Sequence, residues 1–251
     1  MKIIFSPSKT QTSRTILHGN SLSQKTLFQE SAAELIQKIR EFSQDDLKRI
    51  FKTSDKITQE VFDMYHSGEG VEGQAIASFT GTSFGQLGLD SYSQEDCEFA
   101  QDHVLILSGL YGVLKPFDSI REYRLDMNDR IFGEGDTSKN LYHFWKNNIH
   151  NYFEELLEDE ETILNLASGE YSKMLSADQR DRMVTVEFLT KKENKFKSIS
   201  VFAKQQRGKI LNWIIKHKIT DLSQIDQYES GGFEFDSELS SEKRRVFIKS
   251  V

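Results

Sequence analysis

The sequence predicts a mixed α/β fold, in which one mixed sheet carries packed helices. Three observations support this. Short apolar runs of strand type, Lys2–Phe5, Val104–Leu107 and Thr162–Leu166, each run into a polar or glycine-containing loop. Segments with helical apolar spacing lie between them. Toward the end, strand-like segments follow one another directly, as in a hairpin. Alternation in the middle and local pairing at the end describe a mixed sheet.

The elements follow in order. Residues 2–5 read as a buried strand. Residues 27–42 place Leu27, Ala32, Leu35, Ile36, Ile39 and Phe42 on a helical face. Ser43 can cap the next helix, Gln44 to about Lys52, and another runs from Ile57 to His66. Ala75 to Phe79 is a short strand candidate. Ser93 caps a helix from Gln94 to about Asp102, and Val104–Leu107 is a strand. Residues 139–158 are a strong helix, and Thr162–Leu166 a buried strand. Met183–Leu189 and Lys195–Ala203 read as a hairpin turned by Lys192-Glu193-Asn194. Arg207–Lys216 is helical, and Phe233–Phe235 and Val246–Ile248 are late strands.

At 251 residues, without repeats, low-complexity segments or a proline-rich linker, the expectation is one domain over residues 1–251. Such a chain buries roughly 70% of its unfolded surface. No apolar run approaches the ~20 residues that span a bilayer. The start, Met1-Lys2-Ile3-Ile4-Phe5, lacks a signal-peptide pattern, so a cytoplasmic protein without a membrane partner is expected. Cys97 is the single cysteine, which excludes a disulfide framework and cysteine-rich zinc sites. His18, His66, His103, His143, His150 and His217 show no metal-ligand spacing, though His143 and His150 share a helix face. Neither metal nor cofactor is expected.

Only two prolines occur, where average usage gives roughly a dozen. Each follows a strand-type run, in Phe5-Ser6-Pro7-Ser8-Lys9-Thr10 and in Leu107-Ser108-Gly109-Leu110-Tyr111-Gly112-Val113-Leu114-Lys115-Pro116-Phe117-Asp118, which continues to Tyr123-Arg124-Leu125-Asp126-Met127. Proline locks φ, so both loops call for fixed backbone. Three further clusters are Phe79-Thr80-Gly81-Thr82-Ser83-Phe84-Gly85-Gln86-Leu87, Leu164-Asn165-Leu166-Ala167-Ser168-Gly169-Glu170-Tyr171 and Phe202-Ala203-Lys204-Gln205-Gln206-Arg207-Gly208. In this order the five stretches resemble the signatures of the YaaA peroxide stress protein family, formerly a domain of unknown function. The resemblance spans residue 2 to about residue 235. It implies a cytosolic bacterial protein that limits oxidative damage, linked to lowered free iron, with a DNA-binding member and no established reaction. The family pattern has an acid where Gly169 stands, which weakens a two-carboxylate scheme.

Net charge is −7, but Lys191–Lys218 holds nine basic residues against one acid, a local +8 that leaves −15 elsewhere. Such asymmetry can steer an anionic partner to one face, or can simply reflect a solvated hairpin and helix face. The hydroxyls of Ser6, Ser8 and Thr10 with the Lys9 ammonium could bind an anion, or form a plain turn. Arg124 follows the second proline loop in a cluster of mixed charge. Ser168 reads as a helix cap, and the helix start beside it favours an anion. Glu170 is a base candidate near cations. If the strand carrying Lys204 lies near the first strand, Lys9, Arg124, Lys204 and Arg207 line a basic cleft. Residues 44–66 resemble a helix-hairpin-helix, with Lys48, Arg49, Lys52 and Lys56 around the turn but without its glycines. Two readings stay open. One is sequence-tolerant binding of double-stranded DNA through Lys9, Thr10, Lys52, Lys56, Arg124, Lys204, Arg207 and Lys209. The other is an enzyme acting on a small anionic ligand with Lys9, Arg124, Glu170 and Lys204. Oligomeric state is not legible.

Overall fold

Three buried strands form the middle of the sheet: β1 (Lys2–Phe5) lies between β3 (Val104–Ser108) and β6 (Ile163–Asn165), parallel to both. Their near-continuous apolar runs fit a parallel sheet covered on both faces. The computed structural model describes residues 1–67, 70–193 and 195–250. The sheet has eight strands. Beyond β6 come β7 (Met183–Lys192) and β10 (Arg244–Ser250), also parallel. The ends are short antiparallel strands, β4 (Gly112–Leu114) beside β3 and β9 (Glu234–Phe235) beside β10. Short edges limit unwanted strand pairing. β8 (Lys195–Lys197) pairs antiparallel with the far end of β7. Part of the expected turn, Asn194, lies outside the described residues. A separate two-stranded ladder joins β2 (Gly73–Gln74) to β5 (Ser119–Ile120).

Helices α1 (Gln29–Arg40), α2 (Gln44–Phe51) and α3 (Asp55–His66) fall where the apolar spacing put them. Ser43 caps α2, and Ser93 caps α5 (Gln94–His103), each in a reciprocal box with an aspartate three residues on. In α6 (Leu141–Leu156), Leu141, Trp145, Ile149 and Phe153 form one buried stripe.

Two elements differ from expectation. Ala75–Phe79 is not a strand: Ala75–Ser78 is a helical turn, α4, after β2. All four of its residues are buried, so their pattern could not separate helix from strand. The first amides of α4 donate to Asp118 and Pro116 carbonyls, at 2.9 and 2.8 Å, which docks it on the proline loop. The second departure is in Lys195–Ala203. The strand ends at Lys197 and α9 (Ser200–His217) begins, so Lys204 and Arg207 ride on a helix. Val201 and Phe202 suggested a strand by residue type, yet both are exposed on the first turn of α9.

Asp118 fixes the proline loop from inside. It is fully buried and accepts from Gln24 Nε2 and the Lys115 amide, both at 2.9 Å. Burial pushes its carboxyl up to about 6, against the opposing pull of those hydrogen bonds. A carboxyl raised in the folded state adds stability that is complete below about pH 4 and is lost as pH rises through about 6. The loss amounts to about 3 kcal/mol. Asp118→Asn should therefore flatten the fall in urea midpoint between pH 4 and pH 7. An equally steep fall in the variant would exclude Asp118 as its source.

Candidate functional site

The chain leaves β1 toward β3 on one side, and leaves β6 toward β7 on the other. Connections that part in this way open a crevice at the carboxyl ends of neighbouring strands, the usual ligand position in open α/β sheets. A cleft of about 350 Å³ lies there, lined by the loops after β1 and β6, the Gly81–Phe84 segment and one face of α9.

The loops are tied to each other across the cleft. Ser6 Oγ accepts from the Ser168 amide at 2.8 Å and donates to Ser168 Oγ at 3.4 Å. Ser168 therefore joins the two loops, and its side chain does not cap α7 (Gly169–Ser172), contrary to expectation. With four residues, α7 is also too short for a substantial helix dipole. The Gln11 amide brackets Tyr123, donating to its carbonyl and accepting from its N–H, both at 3.0 Å. Gly81 packs its Cα against Ser8, and a Cβ there would overlap the serine hydroxyl.

Lys9 points its ammonium at Asp126, 2.5 Å from Oδ2. Tyr171 donates to the other carboxylate oxygen at 2.8 Å. The hydrogen bond with Asp126 raises the Lys9 pKa, against burial and the nearby positive charge of Arg124. The Asp126 amide donates to Asp129 Oδ2 at 2.7 Å, and burial pushes the Asp129 carboxyl up to about 6. Glu170 accepts from the Asn128 amide at 3.1 Å, and burial raises its carboxyl, with Asp126 adding to the effect. A carboxyl raised in this way holds its proton more readily than a free one and can exchange it with a bound ligand.

The cationic side of the cleft comes from α9. Lys204 is exposed at the rim. Arg207 is half-buried, and its Nε is buried without a hydrogen-bond partner among the described residues. Burial lowers its pKa against the pull of Glu187, a carboxylate that pairs instead with Arg244. A guanidinium remains charged at any physiological pH.

The structure brings Lys9, Thr10, Glu170, Lys204 and Arg207 to one cleft. Arg124 is not among the lining residues; its backbone is held by the Tyr65 hydroxyl, at 3.0 and 3.3 Å. Lys209 lies by the Gly231 turn, away from the cleft. Lys52 and Lys56 sit on the separate α2–α3 hairpin, where Lys48 pairs with Asp55, Arg49 with Asp46 and Lys56 with Glu60. The cleft is also not uniformly basic, because Asp126 and Glu170 face the cations. Asp126 and Tyr171 stood inside the quoted motifs, but their convergence on Lys9 comes from the fold, not from spacing. Asp129 carried no sequence signal. Among the described residues no three of His, Cys, Asp and Glu converge as a metal-binding group. Among the described residues no helix is long and apolar enough to cross a membrane.

Known proteins resemble this chain along nearly its whole length. The profile of the family described as peroxide stress protein YaaA matches residues 1–239. A UPF0246 protein of Crocosphaera subtropica is 37% identical over 227 residues, covering 89% of this chain and 90% of the relative. A UPF0246 protein of Fusobacterium nucleatum is 32% identical over 251 residues, covering 99% of each. Another, of Finegoldia magna, is 34% identical over 256 residues, covering 100% of this chain and 99% of its own.

Proposed function

The chain belongs to the peroxide stress protein YaaA family, and on that footing we propose that its cleft binds a small carboxylate or phosphate compound as part of the response to peroxide. A general role in oxidative stress comes with the family. The observation that carries the ligand class is Arg207, a half-buried cation at the cleft whose Nε has no partner among the described residues. A buried polar group left unpaired costs about 1–3 kcal/mol, and more for a charged group. A bound anion would remove that cost.

The opposite wall supplies chemistry. Glu170, kept protonated more readily by burial, can pass a proton to or from a bound ligand. Lys9 and Tyr171 hold Asp126 in a fixed orientation beside it. Cys97 takes no part in this reading. It is fully buried, and burial pushes its thiol up to about 11, whereas reactivity with peroxide requires an accessible thiolate. As its finer role we propose limiting hydroxyl-radical damage tied to free iron in the cytoplasm, the role that the resemblance of its motifs to the family implies.

The test is calorimetric titration with inorganic phosphate and citrate, comparing the wild type with Arg207→Gln. At least one anion should bind, and the variant should bind it about tenfold or more weakly, since a charge-assisted pair contributes about 1.5–3 kcal/mol. Equal affinity in the variant, or no binding to the wild type, would sink the proposal.

Binding of double-stranded DNA is a second reading. It is favoured by Lys192, Lys195 and Lys197, exposed on the β7–β8 hairpin, and by exposed Lys204 at the cleft rim. Affinity for a short duplex should fall steeply with salt and fall further in Lys195→Glu/Lys197→Glu. Salt-insensitive or absent binding would remove this reading.

A further inference from the structure

We propose that a second cavity, outside the cleft, is a binding site for a phosphorylated small molecule carrying a flat ring, a ligand of mononucleotide class. The cavity, about 440 Å³, lies between α6 and the segment from Lys173 to Arg180, which runs into the helical turn α8 (Ala177–Asp181). On one side His143, Lys146 and His150 project from α6 at positions three and four apart, which places them on a single helix face. Lys173 and Arg180 face them, and among the described residues no carboxylate lines the cavity.

That composition is unusual on a chain whose net charge is −7. Several other cations of the chain sit beside acids, as Lys38 does with Asp136 and Arg245 with Asp226. Lys146 and Lys173 have no ion pair or hydrogen bond among the described residues. Converging like charges repel, and the repulsion is relieved when an anion sits between them. Arg180 donates to the Leu175 carbonyl at 2.6 Å, which orients the guanidinium and leaves other N–H groups for a ligand. The His150 ring is steadied by the Gln179 amide at 3.3 Å.

The floor narrows the ligand class. Met174 and Leu175 are buried apolar side chains beneath the cations, and the Tyr142 ring forms a wall. Every base has a π-face that can stack on an aromatic ring. An inorganic anion would leave this apolar surface unused, and a neutral apolar ligand would leave the cations unrelieved. A phosphate joined to a flat ring answers both. Tyr142 also donates to the Glu170 carbonyl at 3.0 Å, so the cavity and the cleft share a wall. The phosphate could belong to a free nucleotide or to the end of a nucleic-acid strand.

The test is titration of the full chain with ADP, pyrophosphate and a short single-stranded oligonucleotide. The proteins compared are the wild type, Lys146→Glu/Lys173→Glu and the cleft variant Arg207→Gln. Both lysines are exposed, so the double variant should keep its melting temperature. ADP should bind more tightly than pyrophosphate, lose tenfold or more affinity in the double variant, and keep its affinity in Arg207→Gln. If the oligonucleotide displaces ADP and shows the same loss, the site stands with a strand end as the source of the phosphate. Undiminished ADP binding in the double variant, loss confined to Arg207→Gln, pyrophosphate binding as tight as ADP, or no binding of ADP at all would each overturn the proposal.

Discussion

Replacing Asp96 by alanine should destabilise the protein by about 3 kcal/mol, with most of that loss due to two stranded ammonium groups. The Asp96 side chain is 7% exposed and takes Lys216 and Lys218, both from the end of α9. Lys216 lies 2.7 Å from Oδ2 and also donates to the Ser91 carbonyl. The same Oδ2 accepts from the Ser93 amide at 2.9 Å, so Asp96 closes the capping box of α5. A lost cap costs about 1 kcal/mol. Breaking a buried ion pair costs about 3–5 kcal/mol, but both lysines are about one-third exposed, which reduces the figure. Burial alone would raise this carboxyl; hydrogen bonds from Lys216, Lys218 and Ser93 outweigh it and hold the pKa well below the usual carboxylate range. A depressed carboxyl stabilises the fold above its unfolded pKa of about 4, and that contribution is lost as pH falls toward the folded value. The gap between wild type and Asp96→Ala in urea midpoint should therefore be full at pH 7 and shrink below pH 4. A gap under about 1 kcal/mol at pH 7 would mean that α5 and α9 are held by packing alone.

The central strands and most helices were legible because their signal is local. Ser43 and Ser93 mark helix starts by residue type and by an acid three residues on, and both boxes form. The apolar stripe of α6 repeats often enough to specify one face. Legibility failed where burial or exposure overrode pattern. Ala75–Ser78 is buried on every side, so periodicity vanished. Val201 and Phe202 are strand-forming types on the solvent side of a helix. The cleft was half legible. Lys9, Glu170, Lys204 and Arg207 stood out by charge next to strand ends and helix starts. The Lys9–Asp126–Tyr171 cluster did not, because three distant segments meet there only through the strand order. The lysines of the α2–α3 hairpin stood out in sequence as a basic group around the turn; the carboxylates that answer Lys48 and Lys56, Asp55 and Glu60, both come from the first two turns of α3.

The cleft should be most sensitive at a residue that touches no ligand, Gly208. An alanine in a helix interior is ordinarily about 1 kcal/mol more favourable than glycine. Propensity alone therefore predicts that Gly208→Ala stabilises α9. The packing predicts the reverse. A Cβ on Gly208 would overlap the Ser83 carbonyl oxygen and lie 2.8 Å from its carbon, both backbone atoms that no rotamer change can move aside. α9 or the Gly81–Phe84 segment would have to retreat, and forcing an extra methyl into a packed contact costs about 1–3 kcal/mol. Net destabilisation of about 1–2 kcal/mol is expected. The functional effect should be larger, because both surfaces that separate belong to the cleft. Thr82 and Ser83 line it from one side, and Lys204 and Arg207, the latter adjacent to Gly208, line it from the other. Anion affinity should fall about tenfold or more even where the variant is fully folded, since a 1 Å misplacement can cost about that much or more. Gly169→Ala is the control: a Cβ there meets nothing within 4 Å, so stability should stay within about 0.5 kcal/mol of wild type. Urea melts and anion titrations of the two variants decide the matter. If Gly208→Ala is more stable than wild type and binds anions normally, the contact of α9 with Ser83 does not shape the cleft.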